Sequence, residues 1–224
     1  MSGICGQVRI DPADISDQDR DARDRLLEAA LPHIGATGWG LAALRAGATE
    51  AGFDEQEVER LFPGGAGALM RWFDDWADRR MLAALEGLDL GSMKIRERVA
   101  AGVMARLTSL VPYREVVRRA LAHRFGPRGV VSAGEAVLRT VDRIWIAAGD
   151  TATDYNFYTK RGLLASAYAP TVLVWLNDSS PDLVETRAFL ERRLAEILQI
   201  PKLQARLKQS LGPLFAPFER QHKT

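Results

Sequence analysis

Residues equipped for chemistry are sparse in this sequence and poorly spaced for it. The three histidines, His33, His123 and His222, stand far apart, and no Cys-x-x-Cys or His-Glu-x-x-His spacing gathers metal ligands onto one face. Cys5 is the single cysteine and has no histidine near it in the chain, and no Gly-x-Ser-x-Gly elbow is present. Pro63-Gly64-Gly65-Ala66-Gly67 lacks both the Gly-Lys-Ser/Thr ending and the preceding strand of a phosphate loop, so it reads as a helix connector. No residue is nominated as catalytic, and no metal or cofactor is expected.

Residues suited to binding are concentrated instead between Asp154 and Arg161. Tyr155, Phe157 and Tyr158 share this stretch with Asn156, with the acid Asp154 and with the Lys160–Arg161 pair, and an uncharged run to Leu176 follows. On a surface, rigid rings give contact area at low entropic cost and flanking charges fix register, which is what a protein-recognition patch requires. Aromatics at the start of a helix are as readily core, and spacing alone leaves both readings open.

The elements that position these residues all read as helical. Composition is that of an ordinary globular chain: 224 residues, 47% hydrophobic, 26% charged, with a formal net charge of +1 that gives no global push toward nucleic acid. The longest uncharged apolar run, Gly162 to Leu176, contains Pro170 and is shorter than the roughly 20 residues a spanning helix needs, so a buried helix is expected there. Residues 1–19 are rich in aspartate and read as a flexible tail. They show neither an Arg-rich, acid-poor presequence nor the apolar core of a secretory signal, so the protein is expected to stay in the compartment where it is made.

From Arg20 the apolar positions recur at helical spacing. Leu26, Leu27, Ala30, Leu31 and Ile34 mark a first helix closed by Gly35 and Gly38, and Leu41, Leu44 and Ala48 mark a second stopped by Gly52. Asp54 and Glu57 form a capping-box pattern ahead of Val58, Leu61 and Phe62. The resulting unit over residues 20–63 suggests a helix-turn-helix. Its third helix, however, sets Asp54, Glu55, Glu57 and Glu59 against Arg60 alone, a balance that a DNA backbone would repel.

Leu69, Trp72, Phe73 and Trp76 then form a buried stripe, with Asp74, Asp75 and Asp78 read as acids of a solvated face. Further helices are expected through Ile95–Leu110, Tyr113–Phe125, Val130–Ala148 and Asp154–Leu176, and a last one capped by Ser180, giving a helical domain over residues 64–199. Beyond it, Leu203, Leu207, Leu211, Leu214 and Phe215 lie at helical spacing among Lys202, Arg206 and Lys208. Residues 200–224 therefore suit an anionic membrane surface or a partner helix.

Three stretches carry a resemblance. Asp150-Thr-Ala-Thr-Asp-Tyr-Asn-Phe-Tyr-Thr-Lys-Arg-Gly-Leu-Leu-Ala, Asn177-Asp-Ser-Ser-Pro-Asp with Arg187-Ala-Phe-Leu-Glu-Arg-Arg, and Leu26-Leu-Glu-Ala-Ala-Leu-Pro-His with Arg71-Trp-Phe are similar to the ninth Coq protein family, accessory lipid-binding proteins of ubiquinone biosynthesis. The likeness runs over about residues 20–198. It implies an all-α, TetR-like fold, homodimerisation, and binding of isoprenoid quinone intermediates or other lipids. It further implies delivery of these lipids to the di-iron demethoxyubiquinone hydroxylase, with no metal in this chain and no action on nucleic acid. A bacterial-type member would work in the cytoplasm, peripheral on the inner membrane.

By position the resemblance makes Asp154, Tyr155, Asn156, Phe157, Tyr158, Lys160 and Arg161 the hydroxylase-docking patch, although members of the family often carry Trp in place of Phe157 and Arg in place of Lys160. It makes Lys202, Leu203, Arg206, Leu207, Lys208, Leu211, Leu214 and Phe215 the membrane-contacting face. A lipid cavity placed from helix faces is expected among Trp72, Trp76, Leu107, Leu138, Trp145 and Tyr168. A ligand-responsive transcriptional regulator shares the fold and is the alternative reading.

Overall fold

A computed structural model of the chain describes residues 15–124, 127–151 and 155–197, and no strand occurs among them. Three helices come first: α1 (Asp17–Thr37) and the shorter α2 (Leu41–Ala51) and α3 (Glu55–Leu61). The long α4 (Gly65–Glu86) leads into α5 (Ile95–Ser109), α6 (Arg114–His123), α7 (Pro127–Ala147) and α8 (Tyr155–Trp175), and α9 spans residues 184–197. The architecture is TetR-like and all-α.

The first helix starts at Asp17, inside the stretch read as a tail, because the Ser16 side chain accepts a hydrogen bond from the Asp19 amide and caps it. It runs through Gly35 and ends only at Gly38, whose φ of 90° lies in the region open to glycine. Its inner face, Leu26, Leu27, Ala30, Leu31 and Ile34, is buried as the spacing requires. The second helix crosses it so closely that a Cβ on Gly47 would stand 2.6 Å from the Ala30 backbone. Leu41 departs from expectation: it is 55% exposed, its place on the inner face taken by Ala43. Asp54 and Glu57 form the capping box of α3, each side chain taking the other residue's amide.

Helix α4 joins this unit to the larger domain. Leu69, Trp72, Phe73 and Trp76 are buried, and both indoles reach back to α1, Trp72 Nε1 donating to Asp24 at 2.7 Å and Trp76 Nε1 to Glu28 at 3.2 Å. The acids between them correct the sequence reading. Asp74, Asp75 and Asp78 are buried, not solvated, because α5, α6 and α7 carry arginines to meet them. At the far end, Arg114 and Arg118 donate to the Asp178 and Leu176 carbonyls, closing the C-terminus of α8 against α6.

Candidate functional site

The apolar faces of α5, α6, α7 and α8 converge without filling the space between them. They leave a cavity of about 110 Å³ bounded on its fifth side by Phe73 and Asp74 of α4. Helices α6 and α7 each present a stripe at i, i+3, i+4, i+7 spacing: Val117, Ala120, Leu121 and Arg124 from α6 and its cap, and Ala133, Ala136, Val137 and Thr140 from α7. Helix α8 contributes Tyr168, Val172 and Trp175, and α5 contributes Leu107 and Leu110. Four of the lining residues are alanines, and their short side chains are why the space stays open. Ala169 and Leu173 line the cavity and are also exposed, so it opens on that side of α8.

Five of the lining residues are polar: Asp74, Arg106, Arg124, Thr140 and Tyr168. The first four belong to a network of buried charge behind the cavity wall. Asp78 Oδ1 accepts from Arg106 Nε and from Thr140 Oγ1, each at 2.8 Å, while Oδ2 meets Arg143 at 3.3 Å and Arg139 at 3.5 Å. Asp74 takes both terminal nitrogens of Arg124, and Asp75 is shared by Arg143 at 2.6 Å and Arg79 at 2.9 Å.

Burial alone would raise the Asp75 pKa, but hydrogen bonds from Arg143 and Arg79 outweigh it and hold the carboxylate below its usual range. Burial also works against the Arg106 charge, and Asp78 and Asp74 more than offset it, so its pKa rises. The Tyr168 phenol is pushed above its ordinary value, foremost by burial, with Arg106 and Arg124 pulling the other way; it is a protonated donor at neutral pH.

Of the six residues placed around a cavity from helix faces, Leu107 and Tyr168 line this one. Trp72 and Trp76 face α1, Trp145 donates to the Lys160 carbonyl at 3.1 Å, and Leu138 is 52% exposed on the outside of α7. The reason is geometric: large aromatics fill space, whereas a cavity needs small residues at helical spacing, and Ala133-Ala136-Val137-Thr140 is such a stripe.

The start of α8 separates its residues into two kinds. Arg161 is buried, its guanidinium lying 3.3 Å from the centre of the Phe157 ring and pairing with Asp142 at 2.6 Å and Asp150 at 3.3 Å. Lys160 also turns inward, to Asp150 at 2.6 Å. Tyr158 stands out, 74% exposed, with Phe157 packed edge-on against it. Asp154 and the stretch Lys202 to Phe215 lie outside the described residues, and the side chains of Tyr155 and Asn156 are likewise not described. Among the described residues no group of His, Cys, Asp and Glu could hold a metal ion, and no helix is long and apolar enough to cross a membrane.

Residues 130–201, from α7 onward, match the COQ9 family model. The human mitochondrial ubiquinone biosynthesis protein COQ9 is 31% identical over 201 residues, covering 87% of this chain and 63% of its own length. Its Drosophila melanogaster counterpart is 32% identical over 216 residues, covering 94% of this chain and 65% of its own length. The chain thus spans somewhat less than two thirds of these relatives. Among solved structures, a TetR transcriptional regulator from Nitrosomonas europaea superposes with a TM-score of 0.65 at 24% identity, covering 80% of this chain and 98% of that one. One from Rhodococcus superposes with a TM-score of 0.59 at 16% identity, covering 81% and 96%.

Proposed function

We propose that the chain, which matches the COQ9 family model over residues 130–201, serves ubiquinone biosynthesis as an accessory lipid-binding protein without catalytic activity of its own. The observation that carries this reading is the cavity between α4 and α8, apolar along most of its wall and polar at one side, which suits a molecule with a greasy tail and a polar head. In this reading it holds isoprenoid quinone intermediates and presents them to the demethoxyubiquinone hydroxylase.

Size limits the mechanism. A cavity of about 110 Å³ is smaller than the roughly 150 Å³ that accommodates benzene, so in this form it has room for about one prenyl unit, and seating a ring requires it to widen. A long tail would have to leave through the opening beside Ala169 and Leu173 or part the helices, its burial stabilised by about 25 cal/mol per Å².

For docking the enzyme we propose Tyr158 with Phe157 behind it; Lys160 and Arg161 support this surface by holding α8 to Asp142 and Asp150. The basic amphipathic residues 200–224 would supply the membrane contact, and the working form would be a homodimer at the membrane surface. A repressor role is disfavoured by α3, where Glu55, Glu57 and Glu59 are all exposed.

The test is gentle purification followed by extraction and mass spectrometry. Co-purifying isoprenoid or acyl lipid is expected in the wild type and not in Ala136→Leu, whose side chain enters the cavity. Lipid-free protein from a membrane-rich host would overturn the carrier reading.

A further inference from the structure

The cavity wall contains donors that have nothing to donate to. The Arg124 side chain is nine-tenths buried, its terminal nitrogens hold Asp74, and its Nε finds no acceptor. The Tyr168 hydroxyl, on a residue 5% exposed that lines the cavity, makes no hydrogen bond among the described residues. A buried donor without an acceptor is costly and rare, and Arg124 Nε together with an accessible, unpaired Tyr168 hydroxyl in the same wall points to the place where an acceptor belongs. Away from them the wall is aliphatic or aromatic: Leu107, Leu110, Val117, Val137 and Val172. The indole nitrogen of Trp175 is a second buried donor in the wall without a partner, but it lies two helical turns, about 10 Å, along α8 from Tyr168 and beyond reach of the same head group.

Resting on the lipid-binding reading above, we infer that the cavity orients its ligand, seating a compact hydrogen-bond-accepting head, such as a ring carbonyl, against Tyr168 and Arg124 and directing the apolar remainder along α8 toward Trp175. No carboxylate in the wall is free to receive a head that only donates. Asp74 is occupied by Arg124 and Arg139, and Asp78 by Arg106, Thr140, Arg139 and Arg143. Selection is therefore for heads that offer an oxygen acceptor over ammonium heads, which only donate, and it follows from which groups are already paired.

The experiment uses the full chain and two probes with the same short prenyl chain, one on a 1,4-benzoquinone ring and one on benzene, with binding read by tryptophan fluorescence and calorimetry. The quinone is expected to bind about tenfold more tightly than the hydrocarbon, as one good hydrogen bond to a buried donor allows. Tyr168→Phe, which keeps the ring and the packing, should remove most of that advantage and leave hydrocarbon affinity and the melting temperature unchanged. Equal binding of both probes to the wild type would mean that water satisfies these donors and would overturn the orientation. So would an advantage that survives Tyr168→Phe. Binding of neither probe would instead count against the lipid-binding reading itself.

Discussion

Removing one member of the buried ion network should cost far more than removing a matched pair. Asp78 is wholly buried and receives Arg106 and Thr140 at 2.8 Å, with Arg143 and Arg139 behind them. In Asp78→Leu the Arg106 guanidinium, itself 5% exposed, would lose the carboxylate that holds it, while Arg139 and Arg143 retain Asp74 and Asp75. Breaking a buried pair from one side costs about 3–5 kcal/mol. For a chain of this size each kcal/mol moves the melting temperature by about 2–4 °C, so a drop of about 6–20 °C is expected. Arg106→Met should destabilise less, because Asp78 keeps Thr140, Arg143 and Arg139. The double variant Asp78→Leu/Arg106→Met replaces both charges by apolar groups and should recover most of the loss. The assay is urea and thermal unfolding of the two single variants and the double. If Asp78→Leu alone melts within about 2 °C of wild type, the network is solvated enough that its charges do not need each other, and the reasoning from burial fails.

Other perturbations test separate parts of the structure. Gly47→Ala should destabilise by about 1–3 kcal/mol despite better helix propensity, because its Cβ would meet the Ala30 backbone at 2.6 Å; chemical denaturation reads the outcome. Asp178 receives the amides and hydroxyls of Ser180 and Thr186, and although burial opposes its charge these four bonds hold it well below the usual carboxylate range. A depressed folded pKa means the stabilisation is complete above the unfolded value of about 4 and is lost as pH falls toward the folded one. The gap in urea midpoint between wild type and Asp178→Asn should therefore be full at pH 7 and narrow below pH 4. Arg161→Ala should destabilise by about 2–4 kcal/mol through Asp142, Asp150 and the Phe157 ring, whereas Tyr158→Ala should leave unfolding unchanged and abolish hydroxylase capture; capture that survives Tyr158→Ala would move the docking surface elsewhere.

What the sequence discloses here divides by the range over which each feature is determined. The Asp54–Glu57 capping box and the Leu69-Trp72-Phe73-Trp76 stripe are decided within one or two helical turns, and both stand where the spacing puts them. Asp74, Asp75 and Asp78 share that same helix, yet their surroundings are set by Arg106, Arg124, Arg139 and Arg143, each 28 or more positions further on. Acids alternating with arginines look the same in sequence on a solvated face and in a buried network, so only the packing of α5, α6 and α7 separates the two. The cavity is harder still to foresee, because it is made by what the side chains do not fill. Its most telling signal is the alanine spacing on α7, continued by Ala120 and Ala169 on the facing helices, and each of those alanines alone is an ordinary helix former. The start of α8 lies between these cases. Its aromatics and charges are plain in the sequence, but that Arg161 turns inward onto Phe157 while Tyr158 turns out depends on Asp142 and Asp150, carried by the preceding helix and turn. A binding surface and the charges that brace it can thus occupy adjacent positions, and a substitution that weakens docking identifies contact only where folding stability is measured beside it.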